Sequence, residues 1–109
     1  MSYSLIKITA PTPEEARRIG RELVEARLAA SVNLVPGLVS FYRWQGEVRE
    51  AGEVLLLVKT RTALVDEVSA FVTARHGYRC PCVLAVPIAG GHGDYLDWIG
   101  EETSDEAGG

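Results

Sequence analysis

The chain has 109 residues, 47% hydrophobic and 24% charged, which suits one globular domain and leaves no room for a second. A formal net charge of -4 argues against nucleic acid as a partner, because phosphate binding needs a basic surface and the sequence offers none. No apolar run approaches the ~20 residues that cross a bilayer, and residues 1–10 lack the basic-then-apolar order of a secretory signal, so no membrane partner is expected and the expected location is cytoplasmic.

Tyr3 to Thr9 is rich in β-formers and reads as a strand. Thr12-Pro13-Glu14-Glu15 opens a helix: Thr12 caps it, Pro13 suits its first position, and Glu15 is placed to return a bond to the cap. Ala16, Ile19, Leu23 and Ala26, with Gly20 and Val24 beside them, give that helix one apolar face ending near Leu28. Ser31 to Leu34 is a strand interrupted by Pro36-Gly37, and a second stretch alternates from Leu38 to Val48. That alternation keeps its parity through Gln45-Gly46, which puts the hairpin turn at Glu50-Ala51-Gly52; a turn at Gln45-Gly46 is the alternative. Val54 to Val58 is an unbroken apolar run, as in a strand buried on both faces. Thr60 or Thr62 caps a second helix with Leu64, Val65, Val68, Phe71 and Val72 as its buried stripe, ending near His76 with Gly77 as the stop signal. Val83 to Ile88 is the last strand, and Asp94 caps a short final helix carrying Tyr95, Leu96, Trp98 and Ile99. Residues 1–102 form the domain, and 103–109 a flexible acidic tail.

The predicted order is therefore βαββαβ, the ferredoxin-like α+β arrangement, with a long hairpin between the second and third strands and a short C-terminal helix. Two helices cover one face of such a sheet. The middle strands are apolar on both sides, and the chain has nothing left to cover the second face, so a partner copy is expected there.

Cys80 and Cys82, separated by Pro81, are the sharpest chemical feature. Two cysteines are too few for a secreted disulfide framework, and reduced thiols are expected. Residues two apart on a strand share a face, so both sulfurs can meet one soft ion, with His76 or a neighbouring subunit completing the set. The competing reading makes them small apolar residues entering a buried strand, and makes His76 a favourable charge at a helix C-terminus. Tyr42, Trp44, Tyr78 and Trp98, with Tyr95, are expected either to line a ligand pocket between subunits or to pack the subunits together. Lys59, closing a buried strand, meets an anionic ligand or pairs with a glutamate. Glu47, Glu50 and Glu53 read as a solvated rim of the hairpin. Ser31 and Ser40 have no identifiable His-Asp partners, so no catalytic residues and no enzyme are expected.

Ala29-Ala30-Ser31-Val32-Asn33-Leu34-Val35-Pro36-Gly37, then Tyr42-Arg43-Trp44-Gln45-Gly46-Glu47-Val48, then Leu57-Val58-Lys59-Thr60, closely resemble the CutA family of divalent-cation tolerance proteins. Pro87 and Asp94-Tyr95-Leu96-Asp97-Trp98-Ile99 match in order, so the likeness spans residues 3–101. The resemblance implies a ferredoxin-like subunit similar in fold to the PII signalling proteins, a tight homotrimer, a cytoplasmic setting, and a response to metal ions. Copper or another divalent cation is the implied cofactor. The sequence departs from the family pattern at Ser31 and Ile8, where cysteines occur in relatives, and at Cys82, where a glutamate proposed as a metal ligand is usual. Cys82, Cys80 and His76 are thus the candidate metal ligands, and Trp44, Tyr42, Lys59, Tyr78 and Trp98 the candidate ligand-binding residues. The competing functions are an enzyme with an intersubunit active site and a scaffold that tethers another protein.

Overall fold

The computed structural model describes residues 1–103. The elements follow in the order β1 (Tyr3–Ala10), α1 (Pro13–Glu25), β2 (Ser31–Trp44), β3 (Glu47–Arg61), α2 (Val65–Arg75), β4 (Val83–Pro87) and α3 (Gly93–Glu102). One four-stranded sheet runs β2-β3-β1-β4, and every neighbouring pair is antiparallel. This is the α+β, ferredoxin-like arrangement that the element order predicts.

Register decides which residues face the helices. Ile6 lies opposite Val58, Ile8 opposite Leu56 and Ala10 opposite Val54, and all six are buried. Ala16, Ile19 and Leu23 of α1 and Val68 and Val72 of α2 pack onto them. The alternate residues point to the other face. There Leu84 and Val86 of β4 are 57% and 51% exposed and Val35 of β2 is 43% exposed, while Leu5, Leu55 and Leu57 are half-buried. The sheet is thus apolar on a face that α1 and α2 do not cover and that α3 meets only at the Tyr3 and Arg61 end.

α1 begins as its sequence predicts, with the Thr12 hydroxyl accepting from the Glu15 amide at 3.1 Å and Pro13 in the first turn. It ends earlier than expected, at Glu25, and leaves Ala26 exposed and Val24 41% exposed. The Leu28 amide donates to the Leu23 carbonyl and the Arg27 amide to Val24, a Schellman closure with Arg27 in the left-handed region at φ 60°. Arginine holds that position because its guanidinium donates to the carbonyls of Glu101 and Glu102 at the end of α3.

Four further expectations need correction. The hairpin turns at Gln45-Gly46, not at Glu50-Ala51-Gly52: Trp44 pairs with Glu47, and Glu50, Ala51 and Gly52 are paired strand residues of β3. Both turn residues have positive φ, 51° and 79°, as a two-residue primed turn requires. The arm leaves the core, so apolar residues stand on both of its faces and alternation there reports no buried side. Second, Pro36-Gly37 does not end a strand; β2 continues through it with a register shift between Val35 and Leu38. Third, neither Thr60 nor Thr62 caps α2, which follows a single 3-10 turn, Thr62–Leu64; the Thr60 hydroxyl donates to the Leu28 carbonyl and the Thr62 hydroxyl bonds Ser4. Asp94 likewise makes no cap bond to α3. Fourth, Thr103 belongs to the fold: it is fully buried, and its carbonyl accepts from Arg61 Nε at 2.6 Å. The rest of the expected tail, 104–109, lies outside the described residues.

Candidate functional site

The open face carries a cavity of about 620 Å³ where the hairpin leaves the sheet. Lys7 and Thr9 of β1 form its floor. Ser40, Tyr42 and Trp44 of β2 and Arg49 and Glu53 of β3 form one wall, and the segment from Gly77 to Cys82 forms the other. The wall from the hairpin has this composition because Tyr42 pairs with Arg49 and Ser40 with Ala51, so alternate residues of both strands share that face.

The segment 77–82 is tied down from below. His76 follows α2 with a fully buried side chain. Its Nε2 lies 2.6 Å from the Thr9 carbonyl and its Nδ1 accepts from the Tyr78 amide at 3.0 Å. A carbonyl can only accept and an amide can only donate, so the ring is the neutral tautomer with its proton on Nε2. Glu15, expected to close a capping box, instead accepts from the Gly77 amide at 2.9 Å and lies 3.5 Å from His76 Nδ1. A Cβ at residue 77 would sit 2.8 Å from a Glu15 carboxylate oxygen, so a larger residue there would push that side chain aside. Gly77 does not adopt the left-handed stop conformation that the sequence suggested.

Tyr78 then crosses to the hairpin, where its hydroxyl donates to Glu53 at 2.9 Å. Burial and the adjoining Glu53 carboxylate push the phenol up to about 12. Glu53 is therefore a partner of the cavity wall, not a solvated rim residue. Lys59 lies further along the same sheet face, buried, with its ammonium donating to the Asn33 side chain and to the Leu57 carbonyl. Burial alone lowers its pKa.

The cavity brings together five of the eight residues singled out from sequence: Tyr42, Trp44, Tyr78, Cys80 and Cys82. Both cysteines are free thiols, Cys80 exposed and Cys82 half-buried. His76 lies beneath the cavity with both nitrogens engaged. Lys59 is outside the lining, and Trp98 stands on α3, 38% exposed, with its ring tilted at 37° to that of Tyr95 at 5.4 Å. Among the described residues no three His, Cys, Asp or Glu side chains gather into a metal-holding group. Two thiols facing one cavity fit a soft ion, whereas His76 could join them only by giving up a hydrogen bond. Sequence reasoning passed over Lys7, Thr9, Arg49 and Arg79; the alternation of β1 placed Lys7 and Thr9 on the open face, and that was their only signal.

No helix among the described residues is long and apolar enough to cross a membrane. Residues 4–102 match the family model of the CutA1 divalent ion tolerance protein. The divalent-cation tolerance protein CutA of Thermus thermophilus is 54% identical over 99 residues, which are 91% of this chain and 96% of that one. A chloroplastic CutA of Arabidopsis thaliana is 39% identical over 91% of this chain, which spans only 54% of that longer protein. The solved structure of the periplasmic divalent cation tolerance protein CutA from Archaeoglobus fulgidus superposes with a TM-score of 0.91 at 44% identity, covering 94% of this chain and 99% of the other. The chain belongs to the CutA1 divalent ion tolerance family.

Proposed function

We propose that this chain is a divalent-cation tolerance protein of the CutA type, acting as a cytoplasmic homotrimer that takes a metal ion or small ligand at the interfaces where copies meet on the open face. The family match over residues 4–102 is the observation that carries the reading. The uncovered face supports the assembly: Leu84, Val86 and Val35 there, and Val39, Phe41 and Val48 on the hairpin arm, are large apolar side chains left in water by a lone chain. Copies of the same chain are the economical cover, with the arm reaching onto a neighbour. Free thiols, one of them exposed, support a reducing compartment.

For the metal, Cys80 and Cys82 supply two thiolates, and the cation is cargo whose remaining ligands come from a neighbouring copy or from solvent. His76 would join only if the Tyr78 amide released its Nδ1. The test is calorimetric titration of the reduced protein with Cu(I), Cu(II) and Zn(II), repeated on the double variant Cys80→Ser/Cys82→Ser. The reading predicts that the soft ion binds tightly to the wild type and at least tenfold more weakly to the double variant, the margin expected when the softest ligands are lost. Equal binding by both proteins would contradict it.

A further inference from the structure

We propose that the open-face cavity takes a planar aromatic anion, a ring system bearing a carboxylate or phosphate group. This names a ligand class for the reading above and rests on its claim that the open face is a binding surface. The cavity, about 620 Å³, lies within the roughly 300–1,000 Å³ of sites that enclose small molecules.

Its walls supply rings. Tyr42 and Trp44 stand on one strand, and Tyr78 faces them with its hydroxyl anchored on Glu53, so its ring is held as a fixed surface. Aromatic walls favour a flat ring in offset or edge contact.

The charge argues for an anion. Five ionisable side chains other than phenols and thiols matter here. Glu53 accepts the Tyr78 hydroxyl and keeps its negative charge, since the phenol is neutral, while the Arg49 and Glu47 charges balance each other at 3.3 Å. Lys7 and Arg79 remain, and neither has a hydrogen bond or ion pair with another described residue. Lys7 and Arg79 against Glu53 thus leave the cavity net positive in a chain of net charge -4. A concave site of net positive charge concentrates anions, and a cation beside a bound ring adds its own attraction. The Thr9 and Ser40 side chains add hydroxyls to the floor and wall.

The experiment is calorimetric titration of the full chain, reduced and with chelator present, using four probes. Naphthoate and naphthyl phosphate carry ring and charge, naphthamide carries the ring alone, and cyclohexanecarboxylate the charge alone. Both or either of the naphthyl anions should bind, the better one identifying the headgroup, while the single-feature probes bind about tenfold more weakly. Lys7→Gln and Arg79→Gln, both at exposed positions, should each weaken the anion roughly fivefold and leave naphthamide unchanged. Trp44→Leu should weaken every ring-bearing probe. Failure of both naphthyl anions to bind would overturn the proposal, as would naphthamide binding equally well with no response to the charge variants. Because chelator keeps metal out of every anion titration and no anion probe is present in the metal titrations, a failed metal reading and a failed anion reading are told apart.

Discussion

At the scale of single residues, most of the site's order comes from part-buried hydrogen bonds that tie the 76–78 segment to β1 and β3. The Tyr78 phenol, held by Glu53, should be visible in an alkaline titration followed by tyrosinate absorbance. Of the four tyrosines, one should ionise at about 12. Glu53→Gln should bring it down, though not to the ordinary 10, because burial is the larger cause and remains. A phenol whose pKa is raised on folding contributes stability that is complete below pH 10 and disappears between pH 10 and about 12. Lys59 has the opposite sign. Its pKa is lowered by burial, so the folded state releases the proton more readily, and stability should rise as pH climbs through the lowered value toward 10.5. Denaturant melts at several pH values would read this as a rise in midpoint that Lys59→Met lacks. Thr60→Val should cost about 1–3 kcal/mol, because it leaves the Leu28 carbonyl buried without its 2.7 Å donor; a loss under about 0.5 kcal/mol, the range of surface changes, would mean that water or a backbone shift replaces the bond.

Elements were legible where the chain packs against itself and illegible where it does not. The apolar periodicity of Ala16, Ile19 and Leu23, and of Val68 and Val72, located both long helices because burial selects those positions. The Val54–Val58 run located the middle of the sheet for the same reason. The hairpin arm was misread because its side chains face solvent in the lone chain, leaving propensity to compete with a coincidental alternation. Gln45-Gly46 turns the chain by adopting positive φ at both residues, a local cue stronger than the parity argument set against it. Gly46→Ala, which forces a Cβ into φ 79°, should therefore cost about 1 kcal/mol, and Gln45→Asn should recover part of it. No change in the melting temperature of Gly46→Ala would place the turn elsewhere. The aromatic and thiol parts of the cavity were visible as residue types, whereas its cations were not. Their grouping depends on β1 lying beside the 77–82 segment, and no pattern within either stretch encodes that neighbourhood. The buried role of His76 was equally hidden, since the sequence carries no mark of the Thr9 carbonyl it meets 67 positions away.

For the whole molecule, the decisive feature is a sheet whose two longest helices both lie on one side. The long axis of 44 Å reflects an arm that projects past the core with Phe41 70% and Val48 67% exposed. Such surface is costly in water at roughly 25 cal/mol per Å², and an assembly of copies removes the cost without a new partner. A paired change on the open face, Leu84→Lys/Val86→Lys, should break that assembly while sparing the helix-side core, which neither residue enters. Circular dichroism should retain the α+β signature as the mass falls. The most direct measurement is sedimentation velocity of the full chain at micromolar concentration. Three copies should travel as one particle of about three times the 11.8 kDa chain mass; a stable, well-folded species at the mass of one chain would contradict the account.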